Sequence, residues 1–132
     1  MTWATDADIN AEDSLAYTAL SAYSEAAVAR SESAITTYEG LRTIAQRQIR
    51  LDLSARNITS EEITNTDVMV QVEVFCVLAK LFGAVAQYTH NQADVYAARA
   101  LKYEAKYTNA VRTVNPVAYV RGVGASFEWG RG

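Results

Sequence analysis

Catalysis needs a base beside a nucleophile, or ligands spaced for a metal, and this sequence offers one histidine, His90, and one cysteine, Cys76. Any Ser-His-Asp or Cys-His arrangement would hang on His90 alone. That residue falls at the junction of two predicted helices, where a solvated imidazole is the plainer reading. Cys76 stands between Phe75 and Val77 in an apolar stretch, which favours a small inert hydrophobe over a nucleophile. A single cysteine and a single histidine cannot build a structural zinc site, and a disulfide-stapled secreted fold is excluded. No phosphate-cradling glycine loop, dinucleotide-binding glycine pattern or calcium loop is present. The acidic pairs Asp6/Asp8, Glu12/Asp13 and Glu61/Glu62 fall at expected helix starts, where the helix macrodipole accounts for them. The expectation is a protein with no catalytic site, no metal and no cofactor.

Charge narrows the partners. Arg42, Arg47, Arg50 and Arg56 make one helix basic, a pattern that could touch phosphates, but the formal net charge is -3. Tight or sequence-specific nucleic-acid binding is therefore not expected, and a DNA-binding regulator is only a third choice. The N-terminus lacks the basic start and apolar run of a signal peptide, so synthesis in the cytoplasm is expected. The most apolar stretch, Val68 to Ala86, is interrupted by Gln71, Glu73 and Lys80 and reads as buried core, not a membrane span.

These side chains must be positioned by helices. The only proline is Pro116, and four of the six glycines follow it, so residues 1–114 read as a helical bundle domain and 115–132 as an extended arm. The fold class is all-α, a small bundle of about four helices. The first helix is expected from about Ala11 to the mid-thirties, with Leu15, Ala19, Ala22, Ala26 and Ala29 on one small-residue face. The second spans about Leu41 to Ala55 on a stripe of Leu41, Ala45 and Ile49, with Ile44 and Leu51 close by. Thr59 to Glu62 reads as a capping box opening a short helical turn. Val68 to Tyr88 alternates like a strand at its start. Its length and the later steps Val72, Phe75, Ala79, Phe82 and Ala86 make it a central helix, with Glu73, Lys80 and Gln87 as a polar stripe. Gly83 within it suggests a close neighbouring backbone or ring. The last helix, Gln92 to Val114, places Tyr96, Ala100, Tyr103, Tyr107 and Ala110 inward, with Arg99, Lys102, Lys106 and Asn109 on the other face. The short connection at His90-Asn91 implies antiparallel packing on the central helix.

The arm is too short to own a core, yet it carries Tyr119, Phe127 and Trp129 among its glycines. Large aromatics there call for a covering surface, either the chain's own domain or another subunit. Tyr119, Arg121, Phe127, Trp129 and Arg131 are the candidate protein-interface residues.

Several segments resemble the head-to-tail adaptor, or connector, proteins of tailed bacteriophages. The opening Ala4-Thr5-Asp6-Ala7-Asp8-Ile9 followed by Glu12 is one. A second is the helix ending Asp52-Leu53-Ser54-Ala55-Arg56-Asn57-Ile58, where relatives often carry glycine at the Asn57 position. The third is the pair Val77-Leu78-Ala79-Lys80-Leu81-Phe82 and Ala100-Leu101-Lys102-Tyr103-Glu104-Ala105-Lys106-Tyr107. Residues 21–38 stand outside the resemblance. It implies a structural virion protein of the neck, assembled as a ring, commonly of twelve copies, beneath the portal protein. Such a ring extends the DNA channel, lets DNA pass without specific contacts, docks the next neck or tail protein, and has no membrane partner. The resemblance further implies that the arm reaches a neighbour or the portal. The alternative from another class is a small cytoplasmic helical module that binds or regulates one partner protein. Because His90 and Cys76 stand alone, His90→Ala and Cys76→Ala variants that fold are expected to retain particle assembly in a complementation assay. Loss of assembly in either folded variant would contradict this.

Overall fold

The computed structural model describes residues 3–59, 63, 66–88 and 92–114; His90, most of the Thr59–Glu62 capping box and the whole 115–132 arm lie outside the described residues. The described chain is all-helical, as expected, with α1 (Asp6–Glu12), α2 (Ala16–Ala29), α3 (Glu39–Ser54), α4 (Thr66–Tyr88) and α5 (Ala93–Thr113).

The expected first helix is two helices, beginning earlier and ending earlier than its alanine spacing suggests. Thr5 caps α1 through a capping box with Asp8, which satisfies two amide donors that a helix start would otherwise leave open. Asp6 and Asp8 thus do sit at a helix start. Glu12 and Asp13 sit instead at a helix end. There the Asp13 carboxylate turns back to accept the Leu15 amide at 2.9 Å, and its carbonyl accepts the Ala16 amide at 3.1 Å. A short polar side chain that competes for backbone donors in this way breaks one helix and starts the next. Helix α2 then stops at Ala29, because Ser31 adopts φ 64 and the Ser31 and Glu32 amides return to the Val28 and Ala27 carbonyls. The same double return ends α3, with Asn57 at φ 60 and the Asn57 and Ile58 amides on the Ser54 and Leu53 carbonyls. This is the left-handed cap that glycine fills most often and asparagine tolerates.

The other four helices all pack on α4. By length and composition α4 could cross a membrane, but 56% of its most apolar window is buried inside the fold. Met69, Val72, Val77, Leu78, Leu81, Phe82 and Val85 are wholly buried. Ile9 reaches this core from α1, and Leu41, Ala45, Ile49 and Leu53 line it from α3. The α3 stripe is thus as expected and one turn longer, whereas Ile44 and Leu51 face outward at 46% and 61% exposure. On α2 the buried face is Ala16, Ala19, Leu20 and Ala27. It is rotated from the expected one, so that Ala29 is exposed while Leu15 and Ala22 are only partly covered.

Helix α5 runs antiparallel to α4, as ring pairing shows. Phe75 stacks on Tyr103 at 6.1 Å, while Phe82 stacks on Tyr103 at 6.0 Å and on Tyr96 at 5.8 Å. Gly83 answers no close approach. A Cβ placed there would meet only the Ala100 Cβ, at an ordinary 3.9 Å. Phe82 is fully buried between two tyrosines, so Phe82→Ala is expected to cost about 3–5 kcal/mol in denaturant unfolding. A loss below about 1 kcal/mol would show that this aromatic seam does not hold α5 in place.

Candidate functional site

The polar groups that do most in this fold lie inside it. Glu73, expected in a polar stripe with Lys80 and Gln87, is completely buried. The heptad spacing is real, but α3 and the N-terminal segment cover the Glu73 end of that stripe. Its Oε1 accepts the backbone amides of Trp3 and Ala4, each at 3.0 Å, and its Oε2 accepts the Gln46 side-chain amide at 3.2 Å. The Ala4 carbonyl in turn accepts from Arg42 Nη1 at 2.8 Å, and the Arg50 guanidinium lies 5.8 Å from the centre of the Trp3 ring. Residues 3–4 are therefore clamped between α3 and α4 by a carboxylate on one side and arginines on the other.

A second carboxylate ties the α1–α2 break to α5. The Asp13 side chain is 2% exposed and accepts from Arg99, which binds it as an ion pair, and from the Tyr103 hydroxyl at 2.8 Å. Burial alone would raise the pKa of Asp13. The Leu15 amide, the Tyr103 hydroxyl and Arg99 outweigh burial and hold it below the ordinary value of 3.8. A third contact joins α5 to α3, where the Tyr107 hydroxyl donates to Asp52, which also accepts from Gln48 at 3.0 Å. A fourth joins Tyr38 to Asn10 at 2.5 Å. Burial first, and the neighbouring carboxylates second, raise the pKa of Tyr103 and Tyr107. Burial, with Asp6 and Tyr17, pushes Tyr38 up to about 12. All three phenols are therefore donors, not acids, at neutral pH.

These contacts consume the basic helix. Arg42 faces Ala4 and Asp6, Arg50 covers Trp3, and Arg56, just past the end of α3, donates to the Val111 carbonyl at 2.6 Å, which also accepts the Val114 amide. Arg47 is exposed and enters none of them. Sequence periodicity could not assign the inward roles, because an arginine reads the same whether it lies on a solvated face or on a carbonyl.

Of the residues singled out for chemistry, Cys76 is 3% exposed and, by burial above all, its thiol is pushed up to about 12. At neutral pH it is neither a thiolate nor a nucleophile. It forms part of the floor of a cleft of about 480 Å³ between α3, α4 and α5, beside Lys80, Gly83, Glu104 and Tyr107. A second cleft, of about 550 Å³, lies between α2, the 34–37 segment and α3, beside Tyr23, Ile35, Leu41 and Ile44. Among the described residues no group of three or more histidine, cysteine, aspartate or glutamate side chains could hold a metal ion. The interface candidates Tyr119, Arg121, Phe127, Trp129 and Arg131 all lie outside the described residues. Comparison of the chain with protein-family models, curated proteins and solved structures gives no match.

The depressed pKa of Asp13 carries a pH consequence. A carboxyl that titrates lower in the folded state than in the unfolded one stabilises the fold in full above its ordinary pKa, near 3.8. That contribution fades as pH falls below this value. Asp13→Asn is expected to cost about 1–3 kcal/mol at pH 7, since Arg99 and Tyr103 lose a charged acceptor. The difference from the native chain should shrink on acidification through pH 4 to 3. A stability difference that stays constant over that range would contradict the ion-pair account.

Proposed function

We propose that this chain is a non-catalytic structural protein of the virion neck, a head-to-tail adaptor. In this reading it forms a ring beneath the portal protein, extends the DNA channel and docks the next neck or tail component. It is made in the host cytoplasm, and DNA passes it without sequence-specific contact. One structural observation supports the reading beside the resemblance of residues 4–12, 45–58, 77–82 and 100–107 to that family. Inward-turned carboxyl side chains tie separate parts of the fold together, Glu73 on residues 3–4, Asp13 on α5 and the half-buried Asp52 on Tyr107. Among the described residues these three carboxyl groups are spread over separate contacts and not gathered at one cleft. A rigid body of this kind suits a subunit of a ring. The left-handed Asn57, where adaptors often carry glycine, agrees with a helix ending in the same way.

The test is to locate the chain in assembled particles, by electron microscopy of necks carrying a tagged copy. Density for the chain between the portal and the tail is expected. The chain truncated after Val114 should keep its helical content and melting temperature while failing to enter the neck, because the aromatic arm is read as an interface. A tagged chain absent from particles, or a gene set among regulatory genes without portal and capsid neighbours, would favour the partner-binding module instead.

A further inference from the structure

The outward face of α3 carries Ile44, Arg47 and Leu51, steps of three and four that bring them to one side of the helix. This is the side opposite Leu41, Ala45 and Ile49, and its two apolar members are 46% and 61% exposed. Arg42 and Arg50 are engaged with residues 3–6, whereas Arg47 points out between the two apolar side chains. The same chain holds the complement of this face elsewhere. Helix α1 and the first turns of α4 enclose a notch of about 200 Å³ lined by Asp8, Ala11, Glu12, Val70, Gln71 and Val74. Alanine and valine make its apolar part and two carboxylates stand beside them. Asp8 is held in place by the capping box, and among the described residues Glu12 pairs with Lys106, 3.9 Å away between partly exposed side chains. Asp8 is half-buried and Glu12 is exposed, so both carboxyl groups can be reached from the notch.

We propose that the notch between α1 and α4 receives the α3 face of a second copy of this chain, with Leu51 seated over Val70 and Val74 and Arg47 placed between Asp8 and Glu12. An apolar side chain beside a cation meets valine and alanine beside two acidic side chains, so the charges match in one register and oppose it in others. The two faces are made of different residues, so each copy offers one and accepts the other. Such head-to-tail contacts repeat until they close into a ring or run on as a filament. The inference rests on the self-association contained in the adaptor reading and names the faces that carry it.

The experiment is sedimentation velocity of the full chain over a range of concentration and salt, with circular dichroism melting as the control for folding. The native chain is expected to self-associate, and less so as salt rises. Arg47→Glu should weaken association by about tenfold or more, and Leu51→Ala should weaken it as well, with unchanged melting because both positions are exposed. Combining Arg47→Glu with Glu12→Arg should restore association, which a merely destabilising change would not do. Association untouched by Arg47→Glu and Leu51→Ala overturns the proposed faces and leaves the adaptor reading standing on some other contact. A native chain that stays monomeric at every concentration also overturns the proposal, and the location of the chain in particles then judges the adaptor reading separately.

Discussion

A carboxylate shut away from water must be supplied with donors or it unfolds what surrounds it, since the uncompensated burial of one such charge costs several kcal/mol. Glu73 sits in the N-terminal half of the helix on which all the others pack, with no solvent exposure at all. Its donors are two backbone amides at the start of the described chain and one side chain on α3. The demand of a single side chain therefore decides where residues 3–4 lie, and through them where α1 begins. It also fixes the turn of α3 that must face α4, because Gln46 has to reach the second oxygen. Apolar packing would accept several rotations of α3 about its own axis. This hydrogen bond accepts one.

The same logic is repeated at the rim of the aromatic seam. Tyr103 and Tyr107 bury their rings along α4 and send their hydroxyls to Asp13 and Asp52, which belong to the α1–α2 junction and to α3. Each tyrosine supplies hydrophobic area at one end and a directional bond at the other. A phenylalanine in either place would bury as well and would leave a carboxylate short of a donor. Helix α5 is thus fastened to its neighbours at three heights, by Arg99 and Tyr103 on Asp13, by Tyr107 on Asp52, and by Arg56 on the Val111 carbonyl near its end. Polar keys of this kind add less net energy than their number suggests, because each offsets a desolvation cost. What they add is a penalty for every alternative register.

How much of this could be read from the residues follows from the kind of signal each position emits. Helix α5 has one polar and one apolar side, and its tyrosine face is legible in the sequence at 3.6-residue spacing. The α3 stripe was equally plain. The α2 face was misplaced because alanine is permitted inside and outside alike, so a helix rich in it carries little phase information. Glu73 was misread for a different reason. Spaced seven residues from Lys80 and fourteen from Gln87, it completes a polar stripe, and nothing in that spacing shows that another segment of the chain caps one end of it. Asp13 stands in an acidic pair that invites a macrodipole explanation, which fails because the pair lies at a helix end. Both errors concern polar residues whose partners lie far away in sequence, 69 or 70 residues for the amides on Glu73 and 90 for Tyr103 on Asp13. Periodicity reports on the face of one element and is silent on such pairings.

A bundle of this class can serve many purposes, so the meaning of the molecule has to be sought on its surface, not in its topology. The buried contacts matter to that search because they decide which charges remain outside. Four arginines between residues 42 and 56 suggest a surface for phosphates when counted along the chain. Once Arg42, Arg50 and Arg56 are assigned to Asp6 and Ala4, to Trp3 and to the end of α5, the outward charge of α3 is much smaller. Arg47 is left between two exposed apolar side chains, Ile44 and Leu51. The keys that use up the other arginines also hold α1 and α3 at fixed positions on α4. The outward features of both helices therefore keep a constant geometry, which a subunit needs if it must present the same two faces to its neighbours every time it is added.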